Sequence, residues 1–458
     1  MPLDVLNPFD QSVVCSLDYD EGGALEAKIA AAHGAAERWR QVPLDERIEQ
    51  VRQGLERFRT SSERIAKEVS RQMGKPIAQA RGEVNTVFAR ADHMLEIAPQ
   101  TLSPEILPPV DDLHRRIEHA PLGVVFNLAA WNYPLIIPVN VIVPALAAGN
   151  TVLLKHSAKT PLCGQAFEEA FGELEVPALV TDLVLTHEAT AGVIADPRVN
   201  HLSFTGSVEG GHAVYRQAAE RFIDAGLELG GKDPAYIARD ADLDFAIANT
   251  VDGACYNAGQ SCCAVERVYV HQSLLDDYLA GAREALEAYR PGDPLEEETT
   301  IGPLASRGAL DFLEEQVQDA INRGASLLTG GARAPDCAGN FFQPTLLAGV
   351  PNEAAAMQEE SFGPILPVLA VSGDEEALAH MRDTRFGLTA SIWTSDQERA
   401  ERFARSLDAG TIFQNRCDFL DPALPWTGCG DSGKGSTLSS YGYLHLTRRK
   451  SIHFRTKT

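Results

Sequence analysis

The feature that most restricts how this chain folds is a rhythm that sets in near residue 123. Apolar runs of strand length (GVVFNL at 123–128, TVLLK at 151–155, LVL at 183–185 and HLSFTG at 201–206) alternate with helical patterns near 134–148, 161–172, 188–195 and 209–222. Strands separated by helices in this way build βαβ units of a parallel sheet, so the stretch reads as a doubly wound α/β domain. After Gly230-Gly231 the alternation restarts with PAYIA at 234–238, a helix across 242–256, RVYVH at 267–271 and helices near 273–289 and 306–323. ASLLTG, ILPVLAV, LTASIWT and GTIFQN then supply further strands, so a second α/β domain is expected. A chain of 458 residues exceeds what one core accommodates, which agrees with at least two domains.

Upstream, Leu44, Ile48, Val51, Leu55 and Phe58, then Ile65 and Val69, then Val84, Val87, Phe88, Ala91 and Leu95 recur at helical spacing and predict several amphipathic helices. A Pro-rich connector, Ser103 to Val110, separates them from the first strand. No internal repeat or low-complexity tract is present; the acidic run Glu296 to Glu298 reads as a solvated turn, and the closing TRRKSIHFRTKT as a basic edge strand.

Composition excludes several function classes. Apolar residues at 44% and charged residues at 23% are ordinary for a packed protein. Against 64 Asp and Glu stand 40 Lys and Arg, and the formal charge of -24 repels nucleic acid and anionic lipid, so neither is expected as a partner. The start, MPLDVLNPFD, has no basic or apolar leader and no run reaches membrane-spanning length, which leads us to expect a soluble cytoplasmic protein. The eight cysteines (15, 163, 255, 262, 263, 337, 417 and 429) form no CxxC pair and no Cys/His cluster, so we expect neither a disulfide framework nor a bound metal.

Four fragments carry residues suited to chemistry. In Tyr256-Asn257-Ala258-Gly259-Gln260-Ser261-Cys262-Cys263 a cysteine follows a Gly-containing turn; alone it fits a buried small hydrophobe as well as a nucleophile. In Leu227-Glu228-Leu229-Gly230-Gly231 a carboxylate among apolar neighbours suits a general base of raised pKa, or a solvated edge-strand residue. Asn132 in Ala130-Trp131-Asn132-Tyr133-Pro134 follows a strand at the carboxyl end where ligands gather, and fits either an oxyanion donor or a helix cap. Phe204-Thr205-Gly206-Ser207 leads through Gly210-Gly211 into a helix, which suits a pyrophosphate or simply a tight turn.

Taken in order, AWNYP, LLKHSAKTPL, FTGS, LELGGKDP, NAGQSC, EESFGPILPV and NRCDFLDPALPWTG resemble the aldehyde dehydrogenase superfamily, over nearly the whole chain. The resemblance implies a Rossmann-like cofactor domain (1–101 and 122–230), a catalytic domain (231–439) and a small β oligomerisation arm (102–121 and 440–458) that builds a homodimer or homotetramer. It implies NAD(P)-dependent oxidation of an aldehyde to its acid. The Cys262 thiolate attacks, Asn132 and the Cys262 backbone N–H hold the oxyanion, and Glu228 activates the water that hydrolyses the thioester. Glu228 sets the chain apart from the branch that transfers the acyl group to coenzyme A. Lys155, Gly206, Ser207, Gly211, Leu229, Glu360, Phe362 and Trp131 match cofactor-binding positions. Where many NAD-preferring members carry a carboxylate, three places after the lysine, this chain has Ala158 beside Lys159, so NAD and NADP are both admitted.

Substrate positions follow from the same comparison. Members acting on succinate semialdehyde place arginines at the equivalents of Asn140 and Tyr256, and neither residue is cationic here. Tyr133, Tyr256, Phe419 and Trp426 lend the tunnel an aromatic character that favours an uncharged aromatic or aliphatic aldehyde, unless they only pack the domain interface. The closing PWTGCGDSGKG departs from the commoner Pro-Phe-Gly-Gly type. Other readings of the same residues are a crystallin-like structural or binding protein, a thiol esterase using Cys262 without hydride transfer, or a semialdehyde dehydrogenase within the family.

Overall fold

The computed structural model describes residues 1–335 and 339–457, so Cys337 and Thr458 lie outside the described residues. The first βαβ rhythm produces a six-stranded sheet in the order Gly433–Lys434, Asp224–Glu228, Val199–Thr205, Val124–Ala129, Thr151–His156, Val180–Asp182. All its neighbours are parallel except Gly433–Lys434, which runs antiparallel to Asp224–Glu228. From the central Val124–Ala129, fully buried along its length, the chain winds outward to Thr151–His156 and Val180–Asp182, then returns to the other side. The order therefore reverses between Val124–Ala129 and Val199–Thr205, and ligands of such sheets bind at the carboxyl ends beside that switch point. Ala129, Thr205 and Glu228 are those ends, and they lead into three of the four chemical fragments.

The second rhythm produces a seven-stranded sheet, Ser326–Thr329, Thr345–Ala348, Ile365–Val371, Val265–His271, Asp233–Ile237, Thr389–Trp393, Thr411–Gln414, with Ser326–Thr329 alone antiparallel to its neighbour. Thr447–Arg455, Leu113–Pro121 and Glu105–Ile106 form a separate three-stranded antiparallel sheet. The basic closing segment is thus an edge strand, with Phe454 exposed.

Several elements differ from the sequence reading. The edge strand of the first sheet is Val180–Asp182 rather than 183–185; LVL is buried, but only the Leu183 N–H still bonds to the sheet, at Leu154 O. Gly433–Lys434, assigned by sequence to the second region, adds to the first sheet. The helix after the AWNYP turn begins at Ile136, past Pro134. The three upstream groups of apolar positions do fall on helices, Leu44–Thr60, Ser62–Met73 and Ile77–Leu102, and the last is bridged to the C-terminal region where Tyr443 Oη donates to Met94 O at 2.7 Å. An N-terminal hairpin, Leu3–Leu6 with Val13–Leu17, precedes all of this. Among the described residues no helix is long and apolar enough to cross a membrane, and no group of three or more His, Cys, Asp or Glu is arranged to hold a metal ion.

Candidate active site

Helix Leu243–Cys255 ends in a turn whose backbone is unusual: Asn257, Ala258 and Gly259 have φ of 53°, 56° and 73°. The left-handed region costs a non-glycine residue about 1–3 kcal/mol, so neighbouring contacts must impose it. Gly259 is required twice over, since a Cβ there would stand 2.3 Å from the Gly363 backbone. Asn257 Nδ2 donates to Asn132 O at 3.0 Å and to Gln260 O at 3.1 Å, while Gln260 Nε2 donates back to Asn257 O at 3.0 Å. Past this turn Cys262 is half-buried and reachable, whereas Cys263 is buried and its thiol donates to Asp418 Oδ1 at 3.0 Å. The hydrogen bond with Cys262, then burial, push the Cys263 thiol well above the usual range. A thiol held neutral in this way is a poor nucleophile.

Asn132 follows strand Val124–Ala129. The N-cap of the next helix falls at Leu135, so Asn132 does not cap it. That duty belongs to Glu83, which accepts from the Leu135 N–H at 2.8 Å and the Ile136 N–H at 3.3 Å. Glu83 is paired with Lys75, both buried, and Lys75 Nζ also donates to Asn132 O at 2.9 Å. Asn132 Nδ2 gives one hydrogen to Gln260 O at 3.3 Å, and a primary amide has a second to offer. His156, at the end of the adjacent strand, bonds Pro134 O through Nε2 at 2.8 Å. Burial pulls its pKa to about 4, so it is a neutral strut.

Glu228 ends strand Asp224–Glu228 half-buried, accepting from Thr437 Oγ1 and from Thr205 Oγ1 at 3.4 Å. Burial raises its pKa, and Thr437, Arg90 and Thr205 oppose the rise. It is therefore no freely solvated edge residue.

Two cavities meet here. One, of about 360 Å³, is lined by Cys262, Glu228 and all five residues expected to face the substrate: Tyr133, Asn140, Tyr256, Phe419 and Trp426. The other, of about 230 Å³, is lined by Cys262, Glu228 and Asn132 together with Trp131, Gly206, Ser207, Leu229, Glu360 and Phe362. Lys155 and Gly211 are not in its wall. Lys155 lies at the carboxyl end of strand Thr151–His156, and Gly211 lets helix Val208–Ala219 close on Leu229, whose side chain a Cβ would meet at 2.6 Å. Ser207 caps that helix by accepting from the Gly210 N–H at 3.1 Å, so what the turn offers a phosphate is backbone N–H groups and the helix N-terminus.

Two aromatic side chains and a carboxylate stand in the wall of the second cavity. Trp131 and Phe362 meet edge to face at 5.4 Å between centroids. Glu360 Oε1 accepts from the Gly231 N–H at 3.1 Å, and burial, then Glu266, push its carboxyl up to about 8. Glu266 fixes this loop by accepting from the Ser361 and Phe362 N–H groups, each at 2.8 Å, and from Lys232 Nζ at 2.8 Å.

The family model for the aldehyde dehydrogenase family matches residues 1–452. The chain belongs to the aldehyde dehydrogenase family. It is 36% identical to a succinate-semialdehyde dehydrogenase [NADP(+)] of Deinococcus radiodurans, over all of this chain and 96% of that one. It is 33% identical to a betaine aldehyde dehydrogenase of Bacillus subtilis, over 99% and 94%. The crystal structure of a succinic semialdehyde dehydrogenase from Streptococcus pyogenes in complex with NADP+ matches with a TM-score of 0.94 at 30% identity, over 99% of both chains. This aldehyde dehydrogenase is accordingly an enzyme that oxidises an aldehyde with NAD(P), and its fold is the doubly wound α/β fold of its relatives. Relatives of such different substrates leave the choice of aldehyde to the pocket itself.

Motif matching in this aldehyde dehydrogenase missed Lys75, Glu83, Arg90, Glu266 and Thr437, each of which touches a site residue or lines a site cavity. Lys75 and Glu83 lie eight residues apart in sequence and act more than fifty residues downstream, and no local pattern signals that. Removing one partner of a buried ion pair strands the other charge. Lys75→Met should therefore cost about 3–5 kcal/mol in denaturant unfolding, with the double replacement Lys75→Met, Glu83→Leu recovering part of it.

Proposed function

We propose that Cys262, Glu228 and Asn132 carry the oxidation. The observation that supports this is that both cavities are lined by the same thiol and the same carboxylate, so aldehyde and nicotinamide meet from opposite sides. The Cys262 thiolate attacks the aldehyde carbon, and the tetrahedral oxyanion takes hydrogen bonds from the Cys262 N–H and the free N–H of Asn132. Trp131, Phe362, Glu360, Ser207 and Lys155 would hold NAD or NADP, which supplies the hydride acceptor. Glu228, at the junction and of raised basicity, then takes a proton from the water that attacks the Cys262 thioester. The balance is one aldehyde, one water and one oxidised cofactor to one carboxylate, one reduced cofactor and two protons. Cys263, buried and bonded to Asp418, takes no part.

The test is the absorbance of reduced nicotinamide with a panel of aldehydes and both cofactors. Cys262→Ala should abolish it, and Asn132→Ala should lower kcat by about 10²-fold; full activity in Cys262→Ala would refute the assignment. Because Glu228 must be ionised and its pKa is raised, kcat should fall with acidification on a limb lying above the ordinary Glu value of about 4.3.

We further propose that the chain divides into a cofactor region (1–101 and 122–230, with strand Gly433–Lys434 added to its sheet), a catalytic region (the rest of 231–439) and an arm (102–121 and 440–458), and that the arm pairs subunits of a homodimer or homotetramer. In support, strand Thr447–Arg455 stands at the edge of its sheet and offers a free row of backbone groups. Truncation after Leu446 should shift the mass in light scattering to that of a monomer.

A further inference from the structure

Arg90 lies on helix Ile77–Leu102, is 5% exposed, and lines the same cavity as Cys262 and Tyr256. It is the one positively charged residue in that wall among the described residues. Its Nη1 donates to Asn140 Oδ1 at 3.2 Å, and its Nε is buried with no acceptor. A buried guanidinium with a single neutral partner is costly, because it stays charged and has donors to spare. Such a group in a ligand cavity calls for an anion. Three of the four carboxylates around the cavity are otherwise engaged. Glu83 is neutralised by Lys75, Asp418 accepts from Ser261 and Cys263, and Glu228 accepts from two threonines. Asp252 is exposed on its helix.

We propose that Arg90, oriented by Asn140, anchors a carboxylate of the substrate, so that the aldehyde oxidised is one that carries a carboxylate and the product is a dicarboxylate. This rests on the aldehyde reading above and names its substrate class. Asn140 itself is neutral, but it holds a cation delivered from another helix, so the positive charge that motif comparison found missing at 140 and 256 reaches the pocket by a different route. The competing role for Arg90 is electrostatic support of Glu228, whose pKa it lowers.

The experiment compares succinate semialdehyde, butanal and betaine aldehyde on wild type, Arg90→Met and Arg90→Lys. Wild type should prefer succinate semialdehyde over butanal in kcat/KM. Measured at a pH well above the acid limb, Arg90→Met should cut the value for succinate semialdehyde by about 10²-fold through KM and lower that for butanal far less, and Arg90→Lys should retain part of the preference. An equal loss on all three aldehydes, or a shifted acid limb with unchanged preference, would assign Arg90 to Glu228 and overturn the proposal, as would a wild type that favours butanal or betaine aldehyde. Oxidation of butanal also reports whether each variant is folded. If no aldehyde is oxidised, the functional reading fails by itself. Succinate binding by wild type and Arg90→Met, read by thermal shift, then decides the carboxylate site independently: stabilisation of wild type alone supports it, and none in either contradicts it.

Discussion

The backbone carbonyl of Asn132 accepts two hydrogen bonds, from the Lys75 ammonium at 2.9 Å and from Asn257 Nδ2 at 3.0 Å, and the geometry of the site depends on that pair. One donor comes from the segment entering helix Ile77–Leu102, the other from the strained turn before Cys262, and the acceptor from the carboxyl end of the first sheet. Three parts of the chain more than fifty residues apart are thereby fixed on one atom. The same arrangement frees the Asn132 side chain from capping, since Glu83 takes that work, and imposes the left-handed conformation of Asn257 and Ala258 that sets Cys262 at the meeting of two cavities.

Electrostatics then separates groups of like chemistry. Cys262 and Cys263 are adjacent, yet one thiol is reachable and the other is buried against Asp418. Glu228 and Glu83 both line the substrate cavity, yet one is raised by burial and held only by hydroxyls, while the other is pinned by an ammonium. These environments suit the first to the base role proposed for it and the second to holding the fold together.

The alternation of apolar runs was enough to reach two parallel sheets, because strands buried in such a sheet announce themselves over five or more residues, as ILPVLAV does at Ile365–Val371. The N-terminal hairpin escaped because its strands are short and only Val5 in them is buried, and Val180–Asp182 because three residues are too few for a pattern. At the site, the residues named from ordered motifs line the two cavities, Lys155 and Gly211 apart, and the five residues expected to face the substrate share one wall. Arg90, Lys75 and Thr437 were not legible, because each acts through a contact with residues fifty or more positions away, and helix periodicity reads Arg90 only as a polar residue between apolar ones.

The claim on which the account turns is that Cys262 forms the covalent intermediate and Glu228 releases it. Intact-protein mass spectrometry of Glu228→Gln, mixed with an aldehyde the wild type oxidises and with NAD(P), tests it most directly. One acyl group per chain, mapped to Cys262, is expected, with one equivalent of reduced cofactor and little turnover after it. An unmodified Cys262, an adduct on Cys263, or undiminished turnover in the variant would contradict it.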